Sequence, residues 1–397
     1  MVENAHNLKR FDRRIWTVAV SQLFNATGFS ICFPFLSLYL YQERSVPMSL
    51  VGIMFLISGC ISGMVQLFSG ALTDRLGRRP VILSGLGIRT ILNLIMAFLI
   101  SQNAPVYFIA LTYIGGQAAD SVVRPASAAL VLDIAPKGET SEAYGILRVG
   151  QNAGWAAGPA IGGYLATSFS YGQTFLLAPI TNLIALALLW SVKETHHGDG
   201  KHTGPKVMFA AAKNRKFLVF VIIAMVLSIV MGQLGSTLSV FTVDRLGFSE
   251  ANYGLLLTTN GLVVILLQYI IAHFTSKLPR ANALTLGSLC YALGYLSFSW
   301  INSLGLAIPA IVLVTLGEVI IAPTTLATVG DFADKNNRGR YMGLYGVAEM
   351  LGFSLGPVVG GMLLDNFASP LPVWGAIGLI AFIAALGFQW WKSLRTH

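Results

Sequence analysis

Two stretches of this chain, residues 174 to 192 and 366 to 391, carry no charged side chain at all. A run of roughly 20 apolar residues is what a helix needs to cross the hydrocarbon core of a bilayer. In lipid every backbone N–H and C=O must be satisfied within the protein, so such runs fold as helices. The pattern repeats along the chain. Runs and their breaks give twelve candidate spans, at 15–41, 49–73, 81–101, 104–132, 142–168, 172–192, 217–243, 250–276, 281–302, 305–332, 340–366 and 371–391. Barrel strands would be near ten residues long and strictly alternating, and no such pattern is present. The expected fold class is an all-α membrane protein.

Composition supports this where it bears on the argument. Only 11% of the 397 residues are charged, against about 25% in soluble domains, too few to coat a globule of this size. The net charge of +9 does not indicate nucleic acid, because the basic residues sit in short connectors between apolar runs. They also set a topology. With both termini in the cytoplasm, 21 of the 26 Lys and Arg fall on cytoplasmic segments, only Arg44 and Arg245 fall outside, and Arg89, Arg124 and Arg148 fall within spans. That is the positive-inside distribution. The polar first 14 residues, followed by an apolar run too long for a signal h-region, read as a retained first span. The expected location is the cell inner (plasma) membrane, multi-pass, as a monomer.

The longest connector, 193–216, is polar and basic. It reads as a cytoplasmic linker between an N-terminal six-helix bundle (1–192) and a C-terminal one (217–397). Its histidines, His196, His197 and His202, read as solvated rather than metal-binding. Cys32, Cys60 and Cys290 lie in apolar runs and form no CxxC pattern.

The halves repeat. At a constant offset of 198 residues, Pro125 matches Pro323, Asp133 matches Asp331, Gly145 matches Gly343 and Gly154 matches Gly352. Gly158-Pro159 with Gly162-Gly163 matches Gly356-Pro357 with Gly360-Gly361, and Asp120 matches Glu318. Parallel six-span repeats are a transporter architecture, with the substrate site near mid-membrane.

The segment GALTDRLGRRPVIL, residues 70 to 83, joins the second and third spans. In it Gly70, Asp74, Arg75, Gly77, Arg78 and Arg79 form the pattern G-x-x-x-D-R-x-G-R-R, which resembles the signature of the major facilitator superfamily. The resemblance covers essentially the whole chain. It implies that Asp74 and the arginines latch the two halves on the cytoplasmic side. Physically, Asp74 can accept from a helix N-terminus and an arginine can pair with Asp133. The corresponding turn of the second half, HFTSKLPRAN, has Ser276 where Asp74 would stand. RVGQNAGWAAGPAIGG, residues 148 to 163, resembles the antiporter motif of the twelve-span drug:proton antiporter branch through Gly154, Gly158, Pro159, Gly162 and Gly163. Its recurrent glycines also suit close helix packing. An arginine that family members often carry in span four, near Thr112 or Tyr113, is absent here.

A charge at mid-bilayer costs at least about 3 kcal/mol on insertion scales, so each such residue needs a task or a partner. Asp120 and Arg124 are four apart and share a helix face, which allows an ion pair within span four. Glu318 has Ala322 at that spacing and no such partner. Glu318 is therefore the first candidate for proton coupling, Asp120 the second, and Glu349, whose repeat mate is Gln151, the third. By resemblance, spans one, four, seven and ten line the central cavity. Gln22, Asn25, Gln233 and Ser236 are candidate substrate contacts there, with helix–helix hydrogen bonding as the competing explanation.

The expected activity is proton-coupled efflux of small lipophilic or cationic compounds by alternating access. The partners are then substrate, protons and the lipid bilayer, with no nucleic acid and no cofactor. Rival readings are a proton-coupled importer of a sugar or organic acid, a lipid flippase, and a transport-dead receptor. An enzyme is disfavoured: the sequence has no nucleophile–histidine arrangement and no P-loop.

Overall fold

The computed structural model describes residues 11–136, 139–195, 211–332 and 338–396. Most of the 193–216 connector, including His196, His197 and His202, lies outside the described residues. Among those described there is helix and no strand. The helices are α1 (Arg13–Leu38, continued by a π turn Tyr39–Glu43), α2 (Met48–Leu76), α3 (Arg78–Ser101), α4 (Val106–Ile134), α5 (Thr140–Ser168), α6 (Tyr171–Phe175), α7 (Leu177–Trp190), α8 (Arg215–Met231), α9 (Thr237–Val240, continued by a π turn Phe241–Arg245), α10 (Glu250–Thr275), α11 (Arg280–Ser297), α12 (Leu304–Phe332), α13 (Arg338–Asn366) and α14 (Pro370–Thr396).

Among the described residues each of the twelve expected spans falls on helix, and nine of these stretches are long and apolar enough to cross a membrane. The other three depart for visible reasons. Helix α5 carries Glu142, Arg148 and a glycine stripe, and α11 is only 18 residues long. Span seven is not continuous, as expected from sequence, but breaks between α8 and α9. There Gln233 turns back, its Nε2 donating to the carbonyls of Ile229 and Gly356, both at 2.9 Å. Span six also breaks, at Leu176. Pro179 has no N–H to give the Phe175 carbonyl, so the ladder cannot run through.

The described residues group into two compact units. One contains the chain up to Phe35 and the stretch from Ile61 to Thr195; the other contains Leu36–Cys60 and everything from residue 211 onward.

In the first unit, five helices meet in one apolar core: Ile15, Val18 and Ala19 of α1, Val81 and Leu86 of α3, Val123 and Leu130 of α4, Ala143 and Leu147 of α5, and Ala185 and Leu189 of α7. The glycines of α5 lie along α1. A Cβ on Gly150 would meet the Ala19 carbonyl, on Gly154 the Leu23 carbonyl, on Gly158 Ser30, and on Gly162 Phe35. Ser30 Oγ donates to the Gly154 carbonyl at 3.0 Å across that contact.

In the second unit the same contact recurs between α13 and α8, Gly352 at the Met225 carbonyl and Gly356 at the Ile229 carbonyl. Trp374 of α14 is fully buried, stacked on Tyr295 at 5.7 Å and edge-on to Phe241 at 5.1 Å. Residues 36–60, from the first half of the sequence, pack here. Asp365 accepts from the backbone N–H of Met48 (2.9 Å) and Ser49 (2.8 Å), capping the start of α2, and Ser37 bonds Ser239 at 3.0 Å.

Candidate functional site

Each unit holds one acid at the repeat-equivalent position, Asp120 on α4 and Glu318 on α12, and their surroundings differ. The Asp120 carboxylate pairs with Arg89 of α3 and accepts from Asn25 Nδ2 of α1 at 2.9 Å. Arg89 Nη1 also donates to Asn25 Oδ1 at 2.9 Å, and the guanidinium lies over the Phe29 ring, 5.8 Å from its centroid. Arg89 is 1% exposed. Three helices thus close one neutral, hydrogen-bonded cluster. The pair within span four that spacing allowed does not form. Arg124 is exposed and bonds to no described residue, because Asp120 turns instead to the buried cation of the neighbouring helix.

Glu318 is partly exposed and has no ion-pair partner among the described residues. Asn260 of α10 donates to it from Nδ2 at 2.9 Å, and also to Thr315 Oγ1 at 2.9 Å.

Packing shows what stands where Asp120 has its partners. A Cβ on Gly85 would meet the Ala119 carbonyl and Val123; one on Gly287 would meet the Gly317 carbonyl and Ile321, their repeat mates. Those two glycines are therefore equivalent, and four residues beyond each stand Arg89 and Tyr291. Likewise Gly154 lies at the Leu23 carbonyl and Gly352 at the Met225 carbonyl; two residues beyond stand Asn25 and Leu227. The second unit has a phenol in place of the guanidinium and a hydrocarbon in place of the amide. Glu349, on α13, accepts from Tyr345 Oη at 2.7 Å.

At the Asp74 end of the first unit, Arg78 Nη1 bonds Asp74 at 2.6 Å and Arg78 Nε bonds Asp133 at 3.2 Å. The pairing of an arginine with Asp133 read from the sequence is present. Glu194 was missed. It accepts from the backbone N–H of Arg78 (3.1 Å) and Arg79 (2.8 Å), so a carboxylate sits on the open N-terminus of α3. Gly77 makes room for it, with a φ of 94° that favours glycine and no Cβ to strike the Glu194 carboxylate. An acid a few residues past an apolar run was the available signal. Arg79 donates to the Trp190 carbonyl at 2.9 Å and Arg75 is exposed. Although Ser276 replaces the acid, the second unit keeps the matching pair, Arg280 Nε to Asp331 at 3.3 Å.

A family model described as Major Facilitator Superfamily matches residues 18–348 and 244–397. The chain belongs to the Major Facilitator Superfamily. It is a multi-pass membrane transporter, not an enzyme. Among similar proteins, the Na(+), Li(+), K(+)/H(+) antiporter of Planococcus maritimus is 25% identical over 88% of this chain and 89% of its own length. The quinolone resistance protein NorA of Staphylococcus aureus is 24% identical over 89% and 90%. The crystal structure of a POT family transporter in complex with a thioalcohol-conjugated peptide has the same fold, with a TM-score of 0.78 over 97% of this chain and 96% of that one, at 15% identity.

In this transporter the four polar residues read as substrate contacts all hydrogen-bond within the protein. Gln22 donates to Ser127 Oγ at 2.8 Å, Asn25 joins the Arg89–Asp120 cluster, Gln233 bonds two carbonyls, and Ser236 Oγ donates to the Gly232 carbonyl at 3.2 Å. All four are buried. Of the antiporter-motif glycines, Gly154, Gly158 and Gly162 serve the α1–α5 contact, while Pro159 lies inside α5 and Gly163 is buried.

Proposed function

We propose that this transporter exports small lipophilic amines or other cationic compounds in exchange for protons, by alternating access of the halves 1–192 and 217–397. Glu318 is the coupling residue. The observation that carries this is the inequality of the two acids: Asp120 has Arg89 and Asn25, whereas Glu318 holds only the Asn260 amide among the described residues. Loss of water disfavours the charged form of a carboxyl group and a nearby cation favours it. An acid without that cation can exchange a proton or hold a cationic substrate; an acid locked to arginine does neither readily. The names of two relatives, a cation/proton antiporter and a drug-resistance protein, agree with this chemistry. Both termini are assigned to the cytoplasm of a cell-membrane protein from the distribution of Lys and Arg, with Asp74, Arg78 and Asp133 as a cytoplasmic latch.

The first relative favours a second reading, exchange of alkali cations for protons, through the same carboxylate. One assay separates them. Proteoliposomes under an imposed pH gradient are given either a cationic dye or labelled sodium, potassium or lithium ions. Dye movement that dissipates the gradient and is lost in Glu318→Gln supports drug export. Ion movement with no dye movement supports the second reading, and unchanged flux in Glu318→Gln rejects both.

A further inference from the structure

The two carboxylate oxygens of Glu318 stand in different surroundings. Asn260 of α10 donates from Nδ2 to Glu318 Oε2 and to Thr315 Oγ1, both at 2.9 Å. Thr315 and Glu318 are three residues apart and share one face of α12. Thr315 is fully buried, and its hydroxyl hydrogen goes to the Ile311 carbonyl at 2.7 Å. Toward Asn260 it can therefore only accept. That fixes the amide. A turned amide would set Oδ1 against a hydroxyl with no hydrogen left to give. The two hydrogens of the amide nitrogen thus go one to Thr315 and one to Glu318, and Oε2 meets a donor whatever the charge of the acid. Oε1 bonds to no described residue, and Glu318 is only partly buried.

We propose that Asn260 is a positioning residue for the coupling acid: it anchors Oε2 of Glu318 and leaves Oε1 as the atom that takes the proton or the cationic substrate. The inference deepens the export reading and rests on it for the role of Glu318. Because the anchor holds one oxygen, the other keeps its direction while the acid changes its charge.

The titratable side chains that face Glu318 from α11 are Tyr291 and Tyr295, and Tyr291 also interacts with Tyr345 and Glu349 of α13. On α10 the nearest are Tyr253 and Tyr269, seven and nine residues from Asn260. Helix α8 carries its charges, Arg215 and Lys216, in its first turn. An N–H that meets a carboxylate favours the charged form, so loss of the Asn260 donor should let Glu318 hold its proton to higher pH.

The test titrates the carboxyl group itself. The infrared C=O stretch of protonated Glu318 is assigned by its loss in Glu318→Gln and followed against pH in the purified protein. Proton-driven dye flux in proteoliposomes gives a second profile. In Asn260→Leu the midpoint of both should rise by about one pH unit, tenfold in proton concentration, the scale of one hydrogen bond to a charged group. Thr315→Val, which keeps the amide but frees it, should shift the midpoint the same way by less, and it replaces Asn260→Leu if that variant fails to fold. Gln268→Leu removes a different α10–α12 bond, from Gln268 Nε2 to the Val319 carbonyl at 3.4 Å, and should move neither midpoint. An unmoved midpoint in Asn260→Leu, or in Thr315→Val standing in for it, overturns the inference. So does an equal shift in Gln268→Leu, which would mark loosened packing. A shifted infrared midpoint without proton-driven flux would keep the anchor and reject the export reading. Glu318-dependent flux with the wild-type midpoint in Asn260→Leu would do the reverse.

Discussion

Asp120 and Glu318 hold one repeated position in different surroundings. The first is neutralised by a fully buried arginine and an amide from two other helices. The second has Tyr291 and Leu227 at the equivalent places and, among the described residues, bonds only to the Asn260 amide. The repeat places a carboxylate at the same position in each half. Two differences on neighbouring helices separate an acid paired with an arginine from an acid with no cation bonded to it among the described residues. The lesson is that an intramembrane acid is understood from the helices around it, not from its own position.

The two acids should respond differently to loss of their charge. Asp120→Asn leaves Arg89 buried without its counter-charge, a loss of roughly 3–5 kcal/mol. The purified variant should show a large fall in melting temperature. Glu318→Gln should melt close to wild type while losing proton-driven flux. Equal melting behaviour in the two variants would show the acids to be equivalent after all.

A sharper trial moves the cation across the repeat. Tyr291→Arg places a guanidinium where Glu318 has none, and proton-driven flux should fall by about tenfold or more, a change of about 1.4 kcal/mol in the transport barrier. The acid itself is untouched. Full activity in this variant would mean that Tyr291 is not the counterpart of Arg89.

Glycine positions separate contact from mere occurrence. Gly154→Val and Gly352→Val push a side chain into the Leu23 and Met225 carbonyls. Each should lower stability by about 1–3 kcal/mol, the usual range for overpacking. Gly145→Ala and Gly346→Ala meet nothing within 4 Å, and each should raise stability by up to about 1 kcal/mol through helix propensity. Thermal unfolding of the four variants side by side checks the contrast.

The smallest effect concerns the partly exposed pairs at the Asp74 and Asp331 ends. Arg280→Ala removes one carboxylate contact and Arg78→Ala removes two. Both should change stability by less than about 1 kcal/mol, Arg78→Ala by more, and the difference should shrink in high salt.

Much of this was legible in the residues. Length and charge content of the apolar runs fixed the helices, because a span must satisfy its own backbone. The 198-residue offset paired Asp120 with Glu318, and the Arg78–Asp133 contact followed from charge at two helix ends. The Arg89–Asp120–Asn25 cluster was not read, although counting depth offered a signal. Arg89 is eleven residues from the start of α3, Asn25 twelve from the start of α1 and Asp120 fourteen from the end of α4. A common depth does not say which faces meet, and so the nearer Arg124 competed for the same acid.

From the residues alone it follows that this chain is helical, membrane-spanning, duplicated and asymmetric between the Asp74 and Ser276 turns, since each of these rests on local composition, on the reach of one helix or on the offset between two copies. It took the packed helices to show that Asp120 pairs with Arg89 while Glu318 pairs with no described cation, that Glu194 caps α3, and that residues 36–60 pack with the second half. Those outcomes depend on which helix faces touch across tens or hundreds of residues, and helix periodicity alone leaves that rotation open.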